Sequence, residues 1–292
     1  MNLTLTGYST ALFATWFFIE ELGIVFDAGD GLSAGLLQKG GKVKHIFISH
    51  ADRDHLTGLL QFNQLNGRKG SPIIYYPNAC GSFPALQEFT GKFDPHVHDA
   101  DWRPIEFGTE HLVGKDLVVE AIRNSHVNAP SEVSKSLSYK IYRTKRKLKA
   151  EYANRTGNEI RDLIANKGHD FVTDMVRENV LNYSGDTPVE DYERWNNSNI
   201  LIHEATFLGN DAELKHAPNK NKHSNLKEVM EMLANINVNK VILSHFSPRY
   251  SQEEIDSEIQ KLSKFYNLKI PIYRMLPGEI HRNILDKKPV NI

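Results

Sequence analysis

Four side chains that can bind metal ions stand within six residues of one another, directly after a short β-rich run. The run is Val43–Ser49, and His50, Asp52, Asp54 and His55 follow it. Imidazole nitrogens and carboxylate oxygens together suit Zn²⁺ or Mn²⁺. Two such cations held about 3.5–4 Å apart can activate water and clamp a phosphate group. The segment therefore predicts a metal site, and two metals held there could act on a phosphate group.

Other residues that can act as ligands also follow predicted strands. The strands predicted at Leu181–Ser184, Ile200–Glu204 and Val241–Ser244 each end at or beside a histidine or an acidic residue. In α/β proteins, sites gather beyond the carboxyl ends of strands. We therefore expect these side chains at one edge of a sheet. They are Asp186, His203, Glu204 and His245.

Between these strands the chain alternates β-rich runs with amphipathic segments. Leu226–Ile236 and Gln252–Tyr266 are predicted helices. Ser251 and Glu254 have the spacing of a capping box at the start of the second one. The alternation indicates a mixed α/β fold.

The composition of the 292-residue chain excludes several classes of protein. A formal net charge of −1 argues against a wholly cationic nucleic-acid-coating protein, although it leaves room for a local basic patch. The single cysteine, Cys80, excludes an internal disulfide framework and a Cys-rich zinc module, and it favours a reducing compartment. We see no signal peptide and no apolar run long enough to span a bilayer. We therefore expect a cytoplasmic protein with no membrane partner.

The ligand cluster resembles the His-x-His-x-Asp-His signature of the metallo-β-lactamase superfamily. Asp52 stands where the signature has its middle histidine. Three further residues follow in the order in which that family supplies its remaining ligands, namely His126, Asp186 and His245. The resemblance implies a four-layer αββα sandwich with two metals at one edge, between the sheets. It also implies that Asp27 supports the ligand loop from behind.

The same resemblance implies how the ligands divide. One metal would be bound by His50, Asp52 and His126. The other would be bound by Asp54, His55 and His245. Asp186 would bridge the two. Zn²⁺ is the metal we expect, with Mn²⁺ as the alternative.

Two further motifs resemble the ribonuclease Z branch of that superfamily. Residues 203–206 read His-Glu-Ala-Thr, and residues 223–225 read His-Ser-Asn, where the branch has His-Ser-Thr. The resemblance implies that Asp54 orients or deprotonates the attacking water. It also implies that His223, held by Glu204, gives a proton to the leaving oxygen.

Two more expectations follow from this branch. Arg249, in the string that follows His245, would contact phosphate, because a planar guanidinium binds phosphate through two hydrogen bonds. Relatives of this branch are typically homodimers, so we expect a homodimer.

One segment stands apart from the rest of what we expect to be a single domain over residues 1–292. Residues 143–178 begin with five basic residues in seven positions and contain few large apolar residues. We interpret the segment as an exposed basic insertion. A solvated charged face and a substrate-binding arm both explain it.

The sequence does not decide which substrate the chain acts on. The chain could be a tRNA 3′-end endonuclease that uses the basic segment in place of the Gly-Pro-containing arm of tRNA-cutting relatives. It could instead be a phosphodiesterase for small substrates such as cyclic nucleotides, an activity of relatives without the arm, including phage proteins that counter nucleotide-signalled defence. A non-catalytic metal-binding module, with Asp52 marking a degenerate site, is the third reading. A thioester or lactam hydrolase is disfavoured by the His-Glu-Ala-Thr motif.

Overall fold

The computed structural model describes residues 2–93, 100–209 and 222–292, and these form two β-sheets with helices outside them. The first sheet has six strands, which lie side by side in chain order. They are β1 (Leu5–Thr10), β2 (Ala14–Ile19), β3 (Ile24–Phe26), β4 (His45–Phe47), β5 (Ile73–Pro77) and β6 (Asp101–Ile105). The first three strands pair antiparallel, and β3 to β6 pair parallel. The carboxyl ends of β3 and β4 therefore share one edge.

The second sheet has seven strands in the order β13-β12-β11-β10-β9-β8-β7. They are β7 (Glu110–Leu112), β8 (Leu117–Arg123), β9 (Leu137–Leu148), β10 (Thr173–Tyr183), β11 (Ser198–Glu204), β12 (Val238–Ser244) and β13 (Ile272–Arg274). The pairs from β10 to β13 are parallel, and the pairs from β7 to β10 are antiparallel. The parallel half brings the ends of β10, β11 and β12 together.

Helices cover the outer face of each sheet and complete a four-layer arrangement. The helices are α1 (Leu32–Leu36), α2 (Arg53–Leu56), α3 (Leu59–Asn66), α4 (Ser82–Phe93), α5 (Gly157–Lys167), α6 (His169–Val172), α7 (Leu226–Asn235) and α8 (Gln252–Phe265). Apolar residues of α1, α3 and α4 pack on the first sheet, and those of α7 and α8 pack on the second. This αββα order confirms the predicted fold class. None of the helices in the described ranges is both long enough and apolar enough to cross a membrane.

Both outer helices of the second sheet begin at a capping box. Ser251 and Glu254 form the predicted box at the start of α8. Asn225, the departure from the family motif, accepts a hydrogen bond from the backbone N–H of Glu228 at 2.9 Å and caps α7 in the same way. Because asparagine and threonine both accept that bond, the substitution preserves the helix start.

Aromatic side chains fill the space between the sheets directly beneath the ligand loop. The ring of Phe26 lies 4.9 Å from that of Tyr183 and 5.7 Å from that of Tyr139. The hydroxyl of Tyr139 donates to the carbonyl oxygen of Ile48 at 2.6 Å. This bond ties the chain just before His50 to the opposite sheet.

The basic segment forms the outer half of a long hairpin. Residues 143–148 of β9 pair with residues 173–178 of β10, and α5 and α6 connect the two strands. Lys145 forms an ion pair with Glu178, and Arg146 forms one with Asp170. Much of the basic run is therefore balanced by acidic residues that lie beside it only in the folded hairpin.

Two glycines let the loop after β3 contact the ligand segment closely. A Cβ atom on Gly29 would lie 2.2 Å from the carbonyl oxygen of Asp54, and one on Gly58 would lie 2.2 Å from the carbonyl oxygen of Gly29. The backbone N–H of Ala28 donates to the carbonyl of His55 at 2.7 Å. The ligand helix α2 is thus held against the end of β3 by backbone contacts that only glycine allows.

We predict that Gly29→Ala lowers the free energy of unfolding by at least about 2 kcal/mol, because the new methyl group meets backbone atoms that cannot rotate away. Urea denaturation measures this change. Gly81→Ala is the matched control, since a Cβ there meets no atom within 4 Å. Equal losses of stability in the two variants would show that the close approach at Gly29 does not matter.

Candidate metal centre

Loops from both sheets bring the seven predicted ligands to one place. The first sheet supplies the residues after β4, and the second sheet supplies the loops that follow β8, β10 and β12. In both cases the side chains leave from the carboxyl ends of strands, as the sequence predicts. The seven residues are His50, Asp52, Asp54, His55, His126, Asp186 and His245.

The side chains divide into two groups around a shared carboxylate. Oδ2 of Asp52 lies 3.5 Å from Nε2 of His50 and 3.5 Å from Nε2 of His126. This group matches the first predicted set of ligands. Within it the three ligand atoms lie within 4.8 Å of one another, close enough to hold one ion.

The second group has the same form. Oδ2 of Asp54 lies 3.5 Å from Nε2 of His55 and 3.4 Å from Nε2 of His245. Asp186 stands between the groups, with its Oδ2 3.2 Å from Nε2 of His55, 3.3 Å from that of His245 and 3.8 Å from that of His50. The structure thus gives Asp186 the central position expected of a bridging ligand.

Hydrogen bonds at Nδ1 orient two of the four rings directly. Nδ1 of His55 donates to Oδ2 of Asp27 at 2.7 Å, and Nδ1 of His126 donates to the carbonyl oxygen of Lys222 at 2.7 Å. A carboxylate and a carbonyl oxygen can only accept. The proton of each neutral ring therefore sits on Nδ1, and the lone pair of Nε2 faces the centre.

The other two rings reach the same state through a hydroxyl group. Ser49 donates to Asp27 at 2.8 Å and so accepts from Nδ1 of His50 at 2.9 Å. Thr206 donates to Glu204 at 2.5 Å and so accepts from Nδ1 of His245 at 2.9 Å.

All four histidines therefore turn Nε2 toward at least one of the three carboxylates. Lone pairs and carboxylate oxygens that face one another at 3.2–3.8 Å repel unless a ring proton or a metal ion lies between them. Nε2 of His50 and His55 is buried and makes no hydrogen bond within the described part of the chain. The donor set fits divalent metal ions.

A carboxylate–imidazole pair lies beside the two groups. Oε1 of Glu204 accepts from the backbone N–H of Thr187 at 2.7 Å and from Nδ1 of His223 at 3.1 Å. The ring of His223 stacks on that of His245 with 5.4 Å between centroids. Burial would lower the pKa of His223, but the carboxylates of Glu204 and Asp186 raise it to about 9. At neutral pH the His223 ring can therefore carry a proton that it can give away.

Asp27 holds the ligand loop from below, as the sequence predicts. It accepts from the backbone N–H of Ser49 at 2.6 Å, as well as from the hydroxyl of Ser49 and the ring of His55. The hydroxyl of Tyr183 donates to it from the second sheet.

Sequence reasoning missed Tyr183, Ser49 and Thr206. The available signal was that Ser49 precedes His50, Thr206 belongs to the His-Glu-Ala-Thr motif, and Tyr183 ends the strand before Asp186.

Two other predicted residues lie at the margin. The guanidinium of Arg249 lies over the rings of Phe207 and Tyr250, at 5.5 and 5.4 Å from their centroids. His203 is buried beside Trp195, where its Nδ1 donates to the carbonyl oxygen of Glu204 at 2.8 Å. His203 is therefore outside the metal-ligand groups.

Comparison with known proteins places the chain among enzymes. No family model matches it. It is 32% identical to ribonuclease Z of Archaeoglobus fulgidus over 258 residues, which cover 79% of each chain. It is 27% identical to tRNase Z TRZ1 of Arabidopsis thaliana over 269 residues, which cover 89% of each chain.

A solved structure agrees on the fold. The short form of human tRNase Z superposes with a TM-score of 0.59 at 17% identity, over 95% of this chain and 98% of the human one. The relatives confirm the resemblance seen in the motifs and imply divalent metal ions at the centre. The chain belongs to the ribonuclease Z family and is a metal-dependent hydrolase of the metallo-β-lactamase fold.

Proposed function

We propose that this chain cuts phosphodiester bonds at a two-metal centre and that its substrate is the 3′ end of precursor tRNA. The observation that carries the proposal is the convergence of seven inward-facing donors, with the Glu204–His223 pair beside them. The names of the relatives, ribonuclease Z and tRNase Z, support the choice of substrate.

The donor groups indicate how two ions would be held. His50, Asp52 and His126 would bind one, Asp54, His55 and His245 the other, and Asp186 both. Zn²⁺ is the expected ion and Mn²⁺ the alternative, because mixed imidazole and carboxylate donors suit both. When bound, such a pair supplies Lewis acidity for the attacking water and for the phosphate.

Asp54 is placed to act on that water. Its Oδ2 accepts from the backbone N–H of Leu12 at 3.2 Å, and its side chain is partly exposed. The bond from Leu12 fixes the carboxylate, which can then orient the water and take its proton.

His223 is placed to complete the reaction. Its Nδ1 is held by Glu204, and its side chain is 21% exposed, so Nε2 is the atom free to donate a proton to the leaving oxygen. The Glu204 carboxylate favours the protonated ring, and its other oxygen is held by Thr206. A fixed and protonated imidazole suits the departure of a poor leaving group such as a ribose oxygen.

One observation favours a second candidate, a small phosphodiester such as a cyclic nucleotide. The hairpin that would grip a tRNA has its basic residues in ion pairs, including Lys145 with Glu178, Arg146 with Asp170 and Arg177 with Glu110. Paired cations release fewer counterions from RNA and contribute less to its binding. Arg249, which we propose as a phosphate contact, serves either substrate.

Three broader proposals accompany this function. We propose that residues 1–292 act as one domain with the hairpin segment 143–178 as an inserted arm. We propose a homodimer, which the exposed apolar side chains of Leu12 and Phe13, close to Asp54, support. We propose a cytoplasmic location, which the single cysteine supports.

The substrate is tested by incubating the purified protein, loaded with Zn²⁺ or Mn²⁺, with a precursor tRNA and separately with cyclic mononucleotides. We expect cleavage of the precursor at its 3′ end, with binding that weakens steeply as salt rises. Hydrolysis of cyclic mononucleotides alone would replace the first candidate with the second. No turnover of either would contradict the proposed function.

Asp54→Ala is expected to lower kcat by about 10²–10⁴-fold, because the variant loses the group that positions the water and takes its proton. Circular dichroism and urea denaturation should show a folded chain. The control is Glu253→Ala, which removes an exposed carboxylate on α8, outside the hairpin. Turnover in Asp54→Ala at the rate of this control would refute the assigned role.

His223→Ala separates proton donation from general damage to the site. On an unactivated phosphodiester we expect kcat to fall by at least about 10²-fold. On bis(p-nitrophenyl) phosphate, whose leaving group departs without a proton, we expect a much smaller loss. Lys264→Ala, on the exposed face of α8 and outside the hairpin, serves as control. Equal losses on both substrates would mean that His223 does not donate the proton.

A further inference from the structure

Asp52 and Asp54 lie at similar distances from the imidazoles of their own donor groups. Asp52 contacts two Nε2 atoms, both at 3.5 Å, and Asp54 contacts two Nε2 atoms at 3.5 and 3.4 Å. Each group therefore contains two imidazoles and one carboxylate of its own. Asp186 adds the shared carboxylate. The two halves of the centre have the same donor chemistry.

The family signature has a histidine at the position of Asp52. With that histidine, the first group would contain three imidazoles and no carboxylate of its own. Replacing a neutral nitrogen with an anionic oxygen makes the group harder and lowers the positive charge of a filled centre by one unit. Hard oxygen donors raise the relative affinity for Mn²⁺, whereas imidazole-rich sets favour Zn²⁺. Asp52 thus changes which ion the first group prefers.

The neighbours of Asp52 show that the first group is still built to bind. The side chains of His50 and His126 are fully buried. Both Nδ1 atoms are held by acceptors, Ser49 for the first ring and the Lys222 carbonyl for the second. Two buried rings fixed in this orientation present their Nε2 atoms beside Asp52 as donors for one ion. Asp52 therefore changes the donor type of the first group, and the group keeps its ability to bind an ion.

We propose that Asp52 makes the two metal sites alike, so that the chain binds two Mn²⁺ ions with similar affinities and discriminates against Mn²⁺ less than a three-imidazole site does. This inference rests on the proposed function, since it assumes that both groups bind metal. The inference concerns which ion each site binds and how similar the two affinities are, and it makes no claim about the reaction.

Metal binding to the full chain tests it without any assay of activity. The protein is stripped with a chelator and titrated with Mn²⁺ and with Zn²⁺ by calorimetry, and bound metal is counted by mass spectrometry. For the unaltered chain we expect two Mn²⁺ ions whose dissociation constants differ by less than about tenfold. For Asp52→His we expect the ratio of Zn²⁺ to Mn²⁺ affinity at one site to rise by at least about tenfold.

Two further variants complete the design. Asp52→Asn keeps the shape of the side chain and removes its charge, and it should weaken Mn²⁺ binding at one site only, by about 10–100-fold. Asp162→His makes the histidine substitution on exposed α5 and should change neither ion. Circular dichroism confirms that each variant is folded.

The outcomes separate the two claims. An unchanged ratio in Asp52→His, or two Mn²⁺ dissociation constants in the unaltered chain that differ by more than about tenfold, would overturn the inference and leave the proposed function standing. A single bound ion in the unaltered chain would overturn both. Absence of metal binding in every folded variant would overturn both.

Discussion

Each of the four histidines at the centre donates a hydrogen bond from Nδ1 to a fixed acceptor. The rest of the fold must keep these acceptors in place. With Nδ1 engaged in this way, each Nε2 faces one or two of the carboxylates of Asp52, Asp54 and Asp186, an arrangement that metal cations between them stabilise. The acceptors come from both sheets. The sandwich must therefore hold two sheet edges in register to keep the donors usable.

The inner core provides that register. Tyr139 and Tyr183 rise from the second sheet and bond to Ile48 and Asp27 of the first, directly below the ligand loop. On the outer side, Gly29 lets the loop after β3 touch the backbone of Asp54. The ligand loop is thus held by hydrogen bonds beneath it and by close backbone packing beside it, and its side chains have little freedom to reorient.

Sequence reasoning predicted that the candidate ligands meet at one place, because several follow strand ends and their order resembles that of a known family. The same resemblance predicted the sandwich. Sequence reasoning did not predict the roles of Thr206 or Tyr183. Their bonds join residues that are 39 and 156 positions apart in the chain, and such contacts depend on how the sheets are stacked. For the same reason, the sequence alone did not show that residues of the basic run form ion pairs. Lys145 meets Glu178 only because the hairpin register pairs their strands.

The central claim is that these donors hold two cations side by side. The most direct test is a crystal grown with Mn²⁺ or Zn²⁺ and measured at the absorption edge of the metal. The account predicts two anomalous peaks, one among His50, Asp52 and His126 and one among Asp54, His55 and His245, with Asp186 touching both. Ions bound elsewhere, or an empty centre at saturating metal, would contradict it.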